Sequence, residues 1–213
     1  FDDCEAWISN SDVFSGSTIS LYTDGFHGSY AYIQNNSAIT ANGDISIHAH
    51  NAELITSNRY EMVWVDNSSI TTTGNLTIET SDDTITASGT MHSESSIENN
   101  SVIYVGGDLT ISATSPSTLG ESKSYISASD ITVNGDIIIT AIGDVLSEAY
   151  IKDSNAGKII NTGTGITITS TAAGLAGNSN IYLQNTDFSN NTDITMNSNG
   201  TLTSINFTDN VIF

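Results

Sequence analysis

The chain has 213 residues and carries 4 Lys and Arg against 24 Asp and Glu, a formal charge of -20. That length supports one sizeable core, so residues 1–213 are read as a single domain. The acidity excludes a nucleic-acid phosphate backbone as partner and disfavours an anionic lipid surface.

Charged residues make up only 13% of the chain and apolar residues recur regularly, which excludes a disordered polyelectrolyte. No apolar run approaches the length of a membrane span. The single cysteine, Cys4, excludes an internal disulfide framework. The chain opens on Phe1 without a signal-peptide pattern, as expected of a processed chain or a piece of a longer one. Abundant Asn, Ser, Thr, Gly and Ile with one Pro point to a secreted or cell-surface location.

Taken in order, the chain repeats one unit seven times. Each unit opens on a short strand: Ala6-Trp7-Ile8, Ala31-Tyr32-Ile33, Val63-Trp64-Val65, Ser95-Ser96-Ile97, Ser124-Tyr125-Ile126, Ala149-Tyr150-Ile151 and Ile181-Tyr182-Leu183. A lone apolar residue follows at Val13, Ile39, Ile70, Ile103, Ile131, Ile160 and Phe188. Six residues later comes an alternating strand: Ile19/Leu21, Ile45/Ile47, Leu76/Ile78, Leu109/Ile111, Ile137/Ile139, Ile166/Ile168 and Ile194/Met196. Its first members are 26, 31, 33, 28, 29 and 28 residues apart, a period that signals a repeat architecture. A further apolar residue, at Leu54, Ile85, Leu119, Leu146, Leu175 and Leu202, precedes each variable polar segment or lies within it.

Alternation with period two and a wealth of Thr, Ile and Val exclude helix. A propeller blade needs about 40 residues and four antiparallel strands. The pattern predicts an all-β fold, a single-stranded parallel β-helix of about seven rungs with a coil period of 26–33 residues. At about 4.8 Å per rung the rod is roughly 34 Å long, and the varying period is loop length.

Three residues before the lone apolar position stand Asn10, Asn36, Asn67, Asn100 and Asn185, with Ala128 and Gly157 in the other two copies. Asn and Gly tolerate the left-handed backbone of a sharp corner, and stacked amides can form a ladder. Ala128 fits that corner poorly, so its rung is expected to be locally altered. Ser or Thr comes next in every copy except at Lys158.

The runs Gly43-Asp44-Ile45-Ser46-Ile47, Gly74-Asn75-Leu76-Thr77-Ile78, Gly107-Asp108-Leu109-Thr110-Ile111 and Gly135-Asp136-Ile137-Ile138-Ile139 resemble the parallel β-helix repeats of autotransporter passengers and haemagglutinin-like adhesins. The resemblance covers nearly the whole chain and implies a secreted, surface-attached role. It carries over no functional residue.

Among features that carry chemistry, Trp7, Tyr32, Trp64, Tyr125, Tyr150 and Tyr182 form an outward column. It is either a contact surface for sugar rings or another chain, or a satellite core under the variable segments. Asp44, Asp108, Asp136 and Asp193 share one repeat position, where stacked carboxylates are candidate Ca²⁺ ligands and, equally, ordinary residues at a strand start. His48 and His50 are expected to be exposed, and two ligands are too few for a specific metal site. No other cofactor is implied. The outward hydroxyls Ser20, Ser46, Thr77, Thr110, Thr167 and Thr195 reflect β-propensity, since their neighbouring column is too mixed for ice binding. Sequons stand at Asn35, Asn67, Asn75, Asn99, Asn190, Asn199 and Asn206.

Arg59 is the only arginine, and it and Lys123, Lys152 and Lys158 are assigned to variable segments or coil corners. A lyase acting on acidic sugars needs positive charge to hold its substrate, so this chain is charged the wrong way. The expectation is a non-enzymatic extracellular structural or adhesive rod. It either stacks end to end with its own copies or forms part of a longer adhesin, since Ile205-Asn206-Phe207 looks like the start of an eighth rung. The competing class is a carbohydrate-binding or carbohydrate-active β-helix.

Overall fold

The computed structural model describes residues 3–25, 27–51, 58–82, 89–152, 159–163, 165–188, 193–209 and 211. The first turn contains β1 (Asp3–Ser9), β2 (Asp12–Ser15) and β3 (Ile19–Asp24), and the second β4 (Gly28–Gln34), β5 (Ala38–Ala41) and β6 (Ile45–Asn51). The third contains β7 (Arg59–Asp66), β8 (Ser69–Thr72) and β9 (Leu76–Asp82), and the fourth β10 (Met91–Glu98), β11 (Val102–Val105) and β12 (Leu109–Thr114). The fifth contains β13 (Gly120–Ser127), β14 (Asp130–Val133) and β15 (Ile137–Gly143), and the sixth β16 (Leu146–Lys152), β17 (Ile159–Asn161) and β18 (Ile166–Ala172). β19 (Asn178–Gln184) and β20 (Ile194–Asn199) make the seventh, and β21 (Leu202–Thr208) begins another.

From β1 to β19 every third strand lies in the same sheet, and β20 and β21 join the third and first sheets, giving three sheets of eight, six and seven strands. All their pairings are parallel. The chain is a parallel β-solenoid.

The registers follow the repeat. Ile45, Leu76, Leu109, Ile137, Ile166 and Ile194 stand directly over one another in the third sheet. In the second sheet Val13, Ile39, Ile70, Ile103 and Ile131 do the same. The sixth turn corrects the expected alignment. Ile131 pairs with Ile159, and Ile160 pairs with Thr132. Ile159 points inward and is buried, because the corner before Ile166 holds one residue more than its neighbours. A one-residue slip would turn the strand's apolar side chains to solvent, so burial outranks constant spacing. Phe188 fills the core beneath the seventh turn, where its side chain is buried. The downstream apolar residues form no continuous column: Leu119, Leu175 and Leu202 are exposed, Leu146 shares a row with Leu202 but Asn178 separates them, and Leu54 and Ile85 lie outside the described residues.

Each corner has its own chemistry. Between the first and second sheets, Asn10, Asn36, Asn67, Asn100 and Asn185 adopt φ of 53°, 59°, 43°, 62° and 48°. Gly157 and Lys158 lie outside the described residues. Asn67 Nδ2 donates to Asn36 Oδ1 at 3.3 Å. A more regular ladder runs through the next residue. The N–H groups of Ser11, Ser37 and Ser68 donate to the hydroxyls of Ser37, Ser68 and Ser101 on the following turn, at 3.3, 3.2 and 3.3 Å.

Ala128 corrects the expectation of an altered rung. It takes the same left-handed conformation, φ 50°, and its carbonyl and N–H join the stack at 2.7 Å from Asn100 N and 3.0 Å from Lys152 O. The neighbouring turns over-determine the backbone, so the strain is borne rather than relaxed.

Between the second and third sheets the acidic position forms a ladder. Asp44 Oδ1 accepts from Asn75 N–H, Asn75 Oδ1 from Asp108 N–H and Asp108 Oδ1 from Asp136 N–H, each at 2.8 Å. A Cβ on Gly107 would meet Asn75 Oδ1, and one on Gly135 would meet Asp108 Oδ1. The Gly-Asx pair therefore has a steric cause: glycine leaves room for the carboxylate or amide of the turn before.

Where the third sheet returns to the first, the interior narrows and small hydroxyl residues replace aliphatic ones. Ser95, Ser122, Ser124 and Ser147 are buried and donate to the carbonyls of Ser112, Ile142, Thr140 and Ala141 at 2.6, 2.7, 2.6 and 2.7 Å. These bonds satisfy the buried hydroxyls and pin the first sheet to the third.

Replacing Ala128 by Gly or Asn removes the Cβ cost of the left-handed backbone. Either variant is expected to gain about 1 kcal/mol of stability, read from the midpoint of denaturant unfolding.

Candidate functional site: the aromatic face of the first sheet

On either side of the aromatic row the inward positions of the first sheet are Ala, Val, Ser, Ile, Leu or Phe, so the residues between them point out. Trp7, Tyr32, Trp64, Ser96, Tyr125, Tyr150, Tyr182 and Asn206 occupy one row of the ladder. The rings stack along the rod. Tyr32 lies 4.2 Å from Trp64 with planes 6° apart, Tyr125 lies 4.6 Å from Tyr150, and Tyr150 lies 4.1 Å from Tyr182. Trp7 and Tyr32 are looser, at 6.2 Å. Parallel strands about 4.8 Å apart put successive rings at stacking distance, so the backbone repeat itself builds the column.

Exposure varies along the column. Trp7, on the first turn, is 56% exposed, whereas Tyr125 is 9% exposed. The rings cover one another's faces and present edges to solvent. Ser96 divides the column into two stacks. Beside it, Tyr125 Oη lies 2.8 Å from Glu94 Oε1 and 3.2 Å from Glu98 Oε2. A cleft of about 130 Å³ opens there, lined by Met62, Val63, Trp64, Glu94, Ser96 and Glu98. Burial pushes the Glu98 carboxyl up; the Tyr125 hydrogen bond opposes the shift, and Asp66 and Glu94 add to it.

The phenols are shifted too. Burial pushes Tyr125 and Tyr150 well above the usual phenol range, helped by Glu94 and Glu98 at Tyr125 and by a hydrogen bond donated to Tyr182 at Tyr150. Burial pushes Tyr182 up to about 12, against the hydrogen bond it accepts from Tyr150.

The other candidate residues lie elsewhere. Asp44, Asp108 and Asp136 spend an oxygen on backbone N–H groups, Asp136 at 3.2 Å from Gly165 N. Asp136 and Asp193 line one shallow groove with Thr167 and Thr195. No group of three or more His, Cys, Asp or Glu side chains converges on a metal position among the described residues. His48 and His50 are half-buried rather than exposed, which corrects the expectation. His48 Nε2 is 2.8 Å from Ser81 Oγ and the ring meets Tyr22 edge-on, while His50 Nδ1 is 3.5 Å from Asp24 Oδ1. Burial lowers the His48 pKa.

The basic residues are also corrected. Lys123 lies within β13, and its ammonium is 3.8 Å from Glu148 on the next turn. Lys152 ends β16, and Lys158 lies outside the described residues. Arg59 begins β7 and is fully buried, with Nη1 3.5 Å from Asn51 Oδ1 and 3.8 Å from Asp82 Oδ1. Glu61, also buried, stands where neighbouring turns carry Ser29 and Ser93, and it accepts from Ser93 Oγ at 3.0 Å. The sequence carried no signal for this cluster beyond an acid in a serine column.

With the geometry in place, the fold defines a class, the parallel β-solenoids. No family model, curated protein or solved structure matches the chain. No helix among the described residues is long and apolar enough to cross a membrane.

The raised phenols have a pH signature. A phenol whose pKa is higher in the folded state adds stability that is complete below 10.0, its ordinary value, and is lost as pH rises through the folded value. Stability is expected to fall from pH 10 upward, through about 12 for Tyr182. In a spectrophotometric titration, phenolate absorbance from Tyr125 and Tyr150 is expected to appear together with loss of the β circular-dichroism signal, not before it.

Arg59→Ala strands the buried Asp82 without its cation and is expected to cost about 3–5 kcal/mol. The double variant Arg59→Ala/Asp82→Ala removes one stranded charge and is expected to recover part of that loss in the same unfolding measurement.

Proposed function

We propose that the chain is a non-enzymatic structural or adhesive solenoid of the extracellular surface. In this reading it is a stretch of a rod that grows by adding further parallel turns, in the manner of the adhesin and autotransporter repeats its Gly-Asp-Leu-Thr-Ile runs resemble.

The observation that carries the reading is the state of the two ends. At the first turn Ile8, Val13, Ile19 and Leu21 are only partly buried, and at the seventh Ile194 and Met196 are likewise. On β21, Ile205 and Phe207 stand over the buried Ile181 and Leu183 yet are 44% and 49% exposed. Parallel strand edges with uncovered core residues are templates for another turn. That turn comes either from more of the same polypeptide or from a second copy. The contact is heterologous, so repetition of it builds an open filament and not a closed ring.

A glycan platform has less support. Sugar rings stack on open aromatic faces, and along this column the faces are spent on each other.

Concentrated chain at a salt high enough to screen its charge is expected to form fibres of uniform width in electron micrographs. Ile205→Asp/Phe207→Asp places charge on the edge and is expected to leave a folded monomer. Wild-type chain that stays monomeric at every concentration and salt removes the copy-to-copy version, and saturable binding on a glycan array would favour the carbohydrate reading.

A further inference from the structure

We propose that the Asn42–Gly43 corner is a self-modification site, at which the folded chain converts Asn42 through a succinimide into aspartate and isoaspartate. Water is the only co-reactant, and the site is independent of the filament reading.

The reaction needs a backbone N–H that is free to lose its proton. The deprotonated Gly43 nitrogen attacks Cγ of Asn42. The N–Cγ bond forms, the Cγ–Nδ2 bond breaks, and the amide leaves as ammonia with the proton that Gly43 gave up. Water then opens the ring at either carbonyl, giving aspartate or isoaspartate. Glycine has no Cβ to crowd the attack. Elsewhere the stack withholds this nitrogen. Ser11, Ser37 and Ser68 follow Asn10, Asn36 and Asn67, and each spends its N–H on a serine hydroxyl of the following turn. Asn134–Gly135 occupies the same corner as Asn42–Gly43, three turns further on, and is tied down. Gly135 N–H donates to Gly107 O at 2.9 Å, and the Asn134 amide is held by Tyr104 Oη at 3.2 Å and Thr162 Oγ1 at 3.3 Å. The remaining Asn-Gly pair, Asn199–Gly200, lies at a different corner, between β20 and β21.

Asn42 and Gly43 escape this arrangement. One turn back from Gly43 stands Ser17, where later turns offer the glycine carbonyls that receive the N–H groups of Gly107 and Gly135. Among the described residues, neither the Gly43 N–H nor the Asn42 side-chain amide makes a hydrogen bond, and Asn42 is exposed. The corner does supply a donor where charge develops. Thr73 Oγ1, on the next turn, donates to the Asn42 carbonyl at 2.8 Å. Deprotonating the Gly43 amide places much of its negative charge on that carbonyl oxygen, so the hydroxyl stabilises the nucleophile. The product matters to the stack. Isoaspartate adds a methylene to the main chain at the corner where Asn42 N–H donates to Ser15 O at 3.1 Å, so it loosens the second turn from the first. Either product adds a carboxylate close to Asp44.

The folded chain is held at mildly alkaline pH, and the peptides containing Asn42 and Asn134 are followed by mass spectrometry alongside released ammonia. Asn42 is expected to react roughly tenfold or more faster than Asn134, a factor set by the hydrogen bonds that Asn134 and Gly135 must first break. In urea-unfolded chain the two sites are expected to react at similar rates, because each is then an Asn-Gly pair after an aliphatic residue, Ala41 or Val133. Thr73→Val is expected to slow Asn42 about tenfold and leave Asn134 unchanged, and Thr73→Ser to keep the wild-type rate. Equal rates at the two sites in the folded chain overturn the proposal, as does a folded chain in which Asn42 is inert while the unfolded chain reacts. A folded Thr73→Val chain that reacts at the wild-type rate overturns the part given to the hydroxyl. Should Thr73→Val not fold by circular dichroism, the comparison of folded with unfolded wild type decides alone.

Discussion

The whole molecule depends on parallel pairing in register. When each turn sits on the last with the same residues facing, one ladder of backbone hydrogen bonds fixes the place of every side chain along the rod. Ile45, Leu76, Leu109, Ile137, Ile166 and Ile194 become one apolar column inside. Tyr125, Tyr150 and Tyr182 become one stack outside for the same reason. No single turn can bury its apolar face alone, so stability belongs to the stack and is lost or kept between neighbours.

The corners show how the constraint is met by different means. Asparagine accepts a positive φ at the first, Asx oxygens bridge turns beside glycine at the second, and serine hydroxyls tie converging sheets at the third. Each solution satisfies polar groups that the coil would otherwise leave unpaired. This explains how so polar a composition sustains an ordered core: much of the Ser, Thr, Asn and Asp is spent on rung-to-rung hydrogen bonds. Ala128 and Glu61 are the informative exceptions. One bears backbone strain, the other buries a charge beside Arg59, and both are held by ordinary turns on either side.

The outer faces are where turns are free to differ. A perfect aromatic column would be a sealed stack with only its edges in water. Ser96 interrupts it, and the Tyr125 hydroxyl meets the two glutamates flanking that serine on the same strand. On the last described strand, core-facing Ile205 and Phe207 stand over Ile181 and Leu183 and are half exposed. Acid spread over the remaining surface, for a formal charge of -20, sets like charge against stacking, so any assembly of copies is tuned by ionic strength.

Sequence alone specified the architecture, the turn count, the register of all six neighbouring pairs in the third-sheet column and that of four pairs in the second sheet, because a period-two apolar pattern repeated at near-constant spacing admits one way to bury itself. It also marked the left-handed corners, since Asn at a fixed offset is a local backbone signal. Tertiary structure alone decided the rest. That Ile159 and not Ile160 faces inward depends on one extra corner residue, which spacing cannot weigh against burial. That the aromatic rings hide their faces, that Arg59 lies buried with Asp82, and that Glu94 and Glu98 meet at Tyr125 are contacts between different turns, set by packing across the stack. A one-dimensional pattern names which residues face out; only the assembled stack shows what each of them then touches.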